Sequence, residues 1–240
     1  MDPLTISAAG GMQARLESLD MLANNLANTE TGGYKTDREF YNLYQATETA
    51  GDPADALPVI ERSWTDFSQG VLRTTGGPLD LALSGNGFFA VDGPSGSLYT
   101  RNGSFRISPS GALVTGEGYA VRSISGGHLQ VGTSGPVEVS ADGTVQQNGQ
   151  TLGRLEIATF SDDGSLAKHG SSYFQSQSAP QPADGVQVEQ GKLESSNVRA
   201  AESAVRLVAV MRQFEMLQKA AQLGTQMNRE SVEEVAKVAS

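Results

Sequence analysis

The chain has 240 residues, no cysteine and a formal net charge of −10. That length supports a sizeable core, and the missing cysteines exclude disulfides, iron–sulfur clusters and thiolate zinc sites. The acidic balance argues against a nucleic-acid partner, whose phosphates require a basic patch, and against an anionic membrane surface.

Glycine is distributed unevenly, with four residues in 1–45, 23 in 46–191 and one in 192–240. The glycine-rich middle reads as short strands and tight turns, and the two ends read as helix. Charge follows the same division, with nets of −3, −8 and +1 over the three segments. The start lacks the basic and apolar regions of a secretory signal peptide, and no apolar run approaches the roughly 18 residues needed to span a bilayer. By themselves these features predict a soluble, cytosolic protein without membrane insertion.

From Pro3 to about Thr29 the residues Met12, Leu16, Leu19, Ala23 and Leu26 are spaced 4-3-4-3, a heptad pattern. Asn28 and the Gly32-Gly33 pair supply a helix stop. Asn24, Asn25 and Asn28 are poor helix formers, and buried between helices they would set register through their hydrogen bonds. The stretches 46–62 and 175–190 are polar and contain proline, as connections do.

Between them, runs such as Leu79–Leu83, Gly87–Val91, Gly118–Arg122 and Arg154–Phe160 have the patterning of strands. Asp92-Gly93, Asn102-Gly103, Asp142-Gly143 and Asn148-Gly149 are hairpin-type turn dipeptides. They predict an antiparallel sandwich or irregular barrel over about 70–185. After Gly191 a long proline-free segment follows, with Ser196 or Asn197 as a candidate cap. It carries two staggered apolar stripes. One runs through Val198, Ala201, Val205 and Val208, the other through Leu207, Val210, Phe214, Leu217 and Ala221.

The fold expected is therefore α+β, with long N- and C-terminal helices pairing as a coiled-coil-like layer, and with a central, glycine-rich, mainly antiparallel β-domain. The expected divisions are 1–45 (helix and amide-rich segment), 46–69 (connection), 70–185 (β-domain) and 186–240 (C-terminal helix, packed on the first). Isolated helices are marginal in water, so the ends must pair. Their apolar faces are wider than one partner needs, which points to assembly.

No catalytic grouping emerges. The two histidines, His128 and His169, lie in glycine-serine stretches without a metal-ligand spacing. No nucleophile elbow or complete dinucleotide loop is present. Phe88-Phe89 reads as core, and Trp64 as an anchor of a small cluster or of an interface. No catalytic residue, cofactor or metal is expected. A carboxylate pair such as Asp80 and Asp92 working on cell-wall glycan is the enzymatic alternative, and a β-sandwich adhesin on a helical stalk is a third.

Three blocks carry a family resemblance. "ANNLANTETGGYK" (Ala23–Lys35) resembles the N-terminal signature of the bacterial flagellar rod and hook family. "LDLALSGNGFFAV" (Leu79–Val91), with "YTRNGSFRIS" and "GALVTGEGYAV", is similar to that family's β-domain, and Gly191–Ala220 to its C-terminal helix. The resemblance implies a structural, non-enzymatic basal-body rod subunit. It implies self and other rod/hook-family subunits as partners, and the flagellar type III export apparatus. It also replaces the cytosolic expectation with a rod crossing the periplasm, reached without a cleaved signal peptide. Arg212-Gln-Phe-Glu215 looks like the proximal-rod type, with the distal-rod type as the alternative. The assembly interface expected on this basis comprises Met12, Leu16, Leu19, Ala23, Asn24, Asn25, Leu26 and Asn28, with Val198, Val205, Val208, Val210, Phe214 and Leu217.

Overall fold

The computed structural model describes residues 3–44, 57–132, 135–183 and 185–238. It has two helices and a mainly antiparallel β-domain, and it divides into two compact units.

The first unit holds the helices and a hairpin. Helix α1 spans Pro3–Ala27. Strands β1 (Asp37–Tyr44) and β2 (Leu57–Thr65) pair antiparallel, and helix α2 spans Ala200–Val238. Part of the stretch expected to be a connection is thus the strand β2; its residues 46–56 lie outside the described ones. Helices α1 and α2 pack along each other. A Cβ placed at Gly11 would stand 3.2 Å from Leu217 Cδ1, so glycine lets the helices come close.

The buried face of α1 differs from the expected one. It is Gly11, Ala14, Ser18, Leu22 and Asn25, while Leu16 and Ala23 are exposed and Met12, Leu19 and Leu26 are half-buried. Small residues on one face permit close backbone approach, and that outweighs the larger apolar area on the other. On α2 the second stripe turns inward, with Val210 buried and Leu207, Phe214 and Leu217 half-buried.

The second unit comprises 28–36 and 66–198. In chain order it contains β3 (Leu72–Thr74), β4 (Leu81–Ser84), β5 (Phe88–Gly93), β6 (Gly96–Thr100), β7 (Arg106–Ile107), β8 (Leu113–Val114), β9 (Ala120–Val121) and β10 (Val137–Val139). There follow β11 (Thr144–Gln147), β12 (Gln150–Arg154), β13 (Ile157–Thr159), β14 (Leu166–His169), β15 (Tyr173–Ser176), β16 (Gln181–Pro182), β17 (Gln187–Gln190) and β18 (Lys192–Glu194). The main sheet runs β14-β15-β6-β5-β9-β8-β7, with β13 also paired to β5 and to β16. All these pairings are antiparallel.

Strand β5 is covered on both faces. Phe89 and Val91 point into a large cluster with Leu81, Leu98, Val121 and Leu155, and Phe88 and Ala90 into a second one with Tyr99, Phe160 and Phe174. This is the period-two alternation of a strand, with apolar partners on either side. The expected core role of Phe88-Phe89 is met by both rings.

Asn148-Gly149 forms the expected hairpin turn. Asn148 and Gly149 take φ of 51° and 75°, and Gln147 pairs with Gln150. Asn102-Gly103 does not form a hairpin. A Cβ on Gly103 would lie 1.7 Å from the Leu81 carbonyl oxygen, so this glycine serves a close backbone approach. His169 lies at the end of strand β14.

Candidate assembly interface

In the first unit, Asn25 is buried and its amide mimics a peptide. Its Nδ2 donates to the Asp37 carbonyl at 2.8 Å and its Oδ1 accepts from the Asp37 N–H at 3.0 Å. Both hydrogen-bonding groups of one strand residue are thereby satisfied from a helix. Thr65 Oγ1 donates to Asp37 Oδ1 at 2.8 Å, extending the tie to β2. Glu39 on β1 joins both helices: Ser18 of α1 donates to its carboxylate, and Arg206 Nη2 of α2 does so at 2.6 Å. Trp64 is about half exposed, with the Arg38 guanidinium 5.8 Å from its ring centroid.

Among the described residues, these ties leave an outer face of α2 uncovered. Val205, Met216, Leu223 and Met227 are 72, 61, 61 and 65 % exposed, on the side away from Val210 and Leu217. Val208 and Met211 are exposed beside them. Contiguous exposed rows of large apolar side chains are a common feature of contact surfaces. Of the helix asparagines, Asn24 is exposed, while Asn25 is committed to Asp37.

In the second unit, four distant pieces of chain meet in a buried polar knot. Gly33 takes φ of +68°, and a Cβ there would stand 2.4 Å from the Arg101 carbonyl carbon and the Asn102 nitrogen. Its N–H donates to the Glu194 carbonyl at 2.8 Å. Lys35 Nζ lies 2.6 Å from Glu194 Oε1 and donates to the Ser68 carbonyl at 2.7 Å. The same Glu194 carboxylate accepts from the Gly70 N–H at 2.8 Å and from Arg101 Nη1 at 3.3 Å. The Arg101 guanidinium sits 5.2 Å from the Phe88 ring centroid and donates to the Gly85 carbonyl at 2.7 Å.

Burial pushes the Lys35 ammonium below the usual lysine value, and the Glu194 carboxylate opposes that shift. Buried charges of this kind persist only when paired and hydrogen-bonded.

Asn197, a candidate helix cap from sequence, instead belongs to this knot, because α2 starts three residues later. Its Oδ1 accepts from the Thr36 N–H and Oγ1, both at 2.8 Å, and its Nδ2 donates to the Asp66 carbonyl at 2.7 Å. Asn28, half-buried, accepts from Thr31 Oγ1 at 3.0 Å in the preceding turn. Lys168 closes the group, donating to the Lys35 carbonyl at 2.6 Å over the buried Tyr34 ring. Val198 is buried in this unit, unlike Val205 and Val208.

The carboxylates considered for chemistry are engaged elsewhere. Asp92 pairs with Arg122 at 3.4 Å and with His128 at 2.8 Å, and Asp80 accepts from Thr75 Oγ1 at 2.6 Å. No helix among the described residues is long and apolar enough to cross a membrane.

Three family profiles match the chain. They are flagella basal body rod protein over residues 7–35, flagellar hook protein FlgE/F/G D1 domain over 82–147, and flagellar basal body rod FlgEFG protein C-terminal over 189–233. Among curated proteins, the flagellar basal-body rod protein FlgF of Caulobacter vibrioides is 34% identical over 92% of each chain. The FlgG of Bacillus subtilis is 32% identical over 87% of this chain and 90% of its own. The FlgF of Mesorhizobium japonicum is 30% identical over 88% of each.

The chain belongs to the flagellar basal-body rod proteins of the FlgF/FlgG type.

In this rod protein the family blocks meet in space. "TGGYK", "YTRNG" and "LESSNV" supply Gly33 and Lys35, Arg101, and Glu194 and Asn197 respectively, all in the knot. Reading the sequence singled out the asparagines but missed Lys35, Arg101 and Glu194. The available signal was a lone charge in each otherwise uncharged block.

Proposed function

We propose that this rod protein is a structural subunit of the proximal, FlgF-type rod, polymerising through its terminal helices and passing torque across the periplasm. In this reading the helices pair as a coiled-coil-like inner layer and the β-domain, about 70–185, forms the outer one. The segments 1–45 and 186–240 act together in assembly, and 46–69, which includes strand β2, links the first of them in sequence to the β-domain. Export proceeds through the flagellar type III apparatus without a cleaved signal peptide, and the subunit is not an enzyme. Its neighbours are copies of itself and other rod/hook-family subunits.

The observation that carries the reading is the exposed apolar row on α2, Val205, Met216, Leu223 and Met227, facing away from the α1 contact. Covering one such side chain contributes roughly 1.5–3 kcal/mol, enough in combination to hold a helical polymer together. Asn24, exposed on α1, then faces a neighbouring subunit, while Asn25 and Asn28 set the geometry of the chain that presents it.

Arg212-Gln-Phe-Glu215 and the FlgF relatives support the proximal assignment, and FlgG relatives of similar identity support the distal one as a second reading. Complementation separates them. Expression in a strain lacking its proximal-rod protein restores swimming under the first reading, and only in a strain lacking the distal-rod protein under the second. For polymerisation itself, Met216→Asp is expected to abolish swimming while leaving the thermal midpoint of the purified chain unchanged. Normal swimming in that variant would refute the α2 surface.

A further inference from the structure

Methionine supplies two of the four side chains in the exposed apolar row on α2, Met216 and Met227. The chain has six methionines and no cysteine. Met1 lies outside the described residues, and Met12 and Met21 are half-buried on α1. Met211, Met216 and Met227 are all exposed on α2, at 48, 61 and 65 %. Val205, Met216 and Met227 recur every eleven residues, close to three helical turns, so they lie in line with Leu223 beside them. Met211 stands about 140° round the helix from Met216, to one side of the row. Valine and leucine are inert to mild oxidants, whereas a thioether sulfur is not. With no thiol in the chain to compete, the methionines are its softest nucleophiles.

On the rod reading above, we infer that Met216 and Met227 are an oxidation site, open to peroxides in the unassembled subunit and closed once the row is covered. The sulfur lone pair attacks a peroxide oxygen, and the S–O bond forms as the O–O bond breaks. The thioether is thereby oxidised to a sulfoxide, and hydrogen peroxide is reduced to water. The sulfoxide carries a strong hydrogen-bond acceptor, and covering it in an apolar contact leaves that acceptor without a partner. An oxidised subunit is therefore excluded from the rod, and reduction by a methionine sulfoxide reductase readmits it. Met12 and Met21, partly covered within the first unit, react more slowly.

Peptide mapping of the full-length chain over time in dilute hydrogen peroxide tests the site. Met216 and Met227 are expected to gain oxygen about fivefold or more faster than Met12 and Met21. Equal rates at all four would overturn the site. In flagellated cells lacking the native copy, the wild-type chain and a chain carrying Met216→Leu with Met227→Leu are each induced with and without sublethal peroxide. Peroxide is expected to lower the swimming restored by the wild-type chain about fivefold, while the leucine pair, compared with itself, holds its level. Equal losses for the two chains would overturn the switch. Should the leucine pair fail to assemble, Met216→Gln with Met227→Gln decides, since glutamine is polar as the sulfoxide is. Its swimming is expected to fall about tenfold or more. Normal swimming by the glutamine pair, with none from Met216→Asp, would overturn the oxidation inference and leave the rod reading intact. Normal swimming by both would refute the α2 surface itself.

Discussion

Lys35 Nζ lies 2.6 Å from Glu194 Oε1, with both side chains fully buried and the two residues 159 positions apart in the chain. The carboxylate is further held by the Gly70 N–H and by Arg101, so the pair sits within a satisfied network rather than as two isolated charges. Such a pair is costly to break from one side, because the remaining charge stays in a low-dielectric interior.

Lys35→Met is accordingly expected to destabilise the chain by about 3 kcal/mol, a size usual for breaking a buried pair. Denaturant unfolding followed by tryptophan-independent far-UV signal measures it. A loss within experimental error of zero would mean that Arg101 and Gly70 alone satisfy Glu194.

Gly33→Ala tests the backbone approach. A methyl group there would stand 2.4 Å from two backbone atoms of Arg101-Asn102, at a φ of +68° that disfavours L residues. A loss on the order of 3 kcal/mol is expected from clash and strain together. Amide hydrogen exchange on the full chain gives a second readout, since Gly33 and Thr36 should exchange faster in the variant. Wild-type protection in the variant would show that the segment shifts without cost.

Asn25 and Asn24 are expected to behave differently despite their adjacency. Asn25→Ala removes two hydrogen bonds and leaves the Asp37 N–H and carbonyl without them, a loss of roughly 2 kcal/mol. Asn24→Ala, at an exposed position, should change the stability of the purified chain by less than about 0.5 kcal/mol. Equal losses from the two substitutions would remove the distinction.

Stability at high pH should depend on Tyr173. Burial, and then its hydrogen bond to Glu117, push the phenol well above its usual value. The folded state therefore holds this proton more tightly than the unfolded one. The resulting stability is complete below the unfolded tyrosine value of about 10 and is lost as pH rises beyond it. Tyr173→Phe should flatten the fall in unfolding free energy between about pH 10 and 11.5. Tyr99 shifts in the same direction through burial and Glu156, so part of the slope should remain.

Local features are the ones legible in the residues alone. The helix at each end follows from its apolar spacing and its few glycines, and the Asn148-Gly149 hairpin from residues that accept positive φ. The alternation around Phe88-Phe89 set the character of β5, and the motif blocks identified the family. Tertiary structure alone decided which face of each helix turns inward. Gly11, Ala14 and Ser18 win on α1 because close approach rewards small side chains, whereas hydrophobic spacing pointed to Met12, Leu16 and Leu19. Tertiary structure also decided the fate of the amides, sending Asn25 to Asp37 and Asn197 to Thr36. Lys35, Arg101 and Glu194 carry no mutual spacing to be read, since their contact depends on where the whole β-domain returns the chain, and a buried charge acquires meaning only from the partner brought beside it.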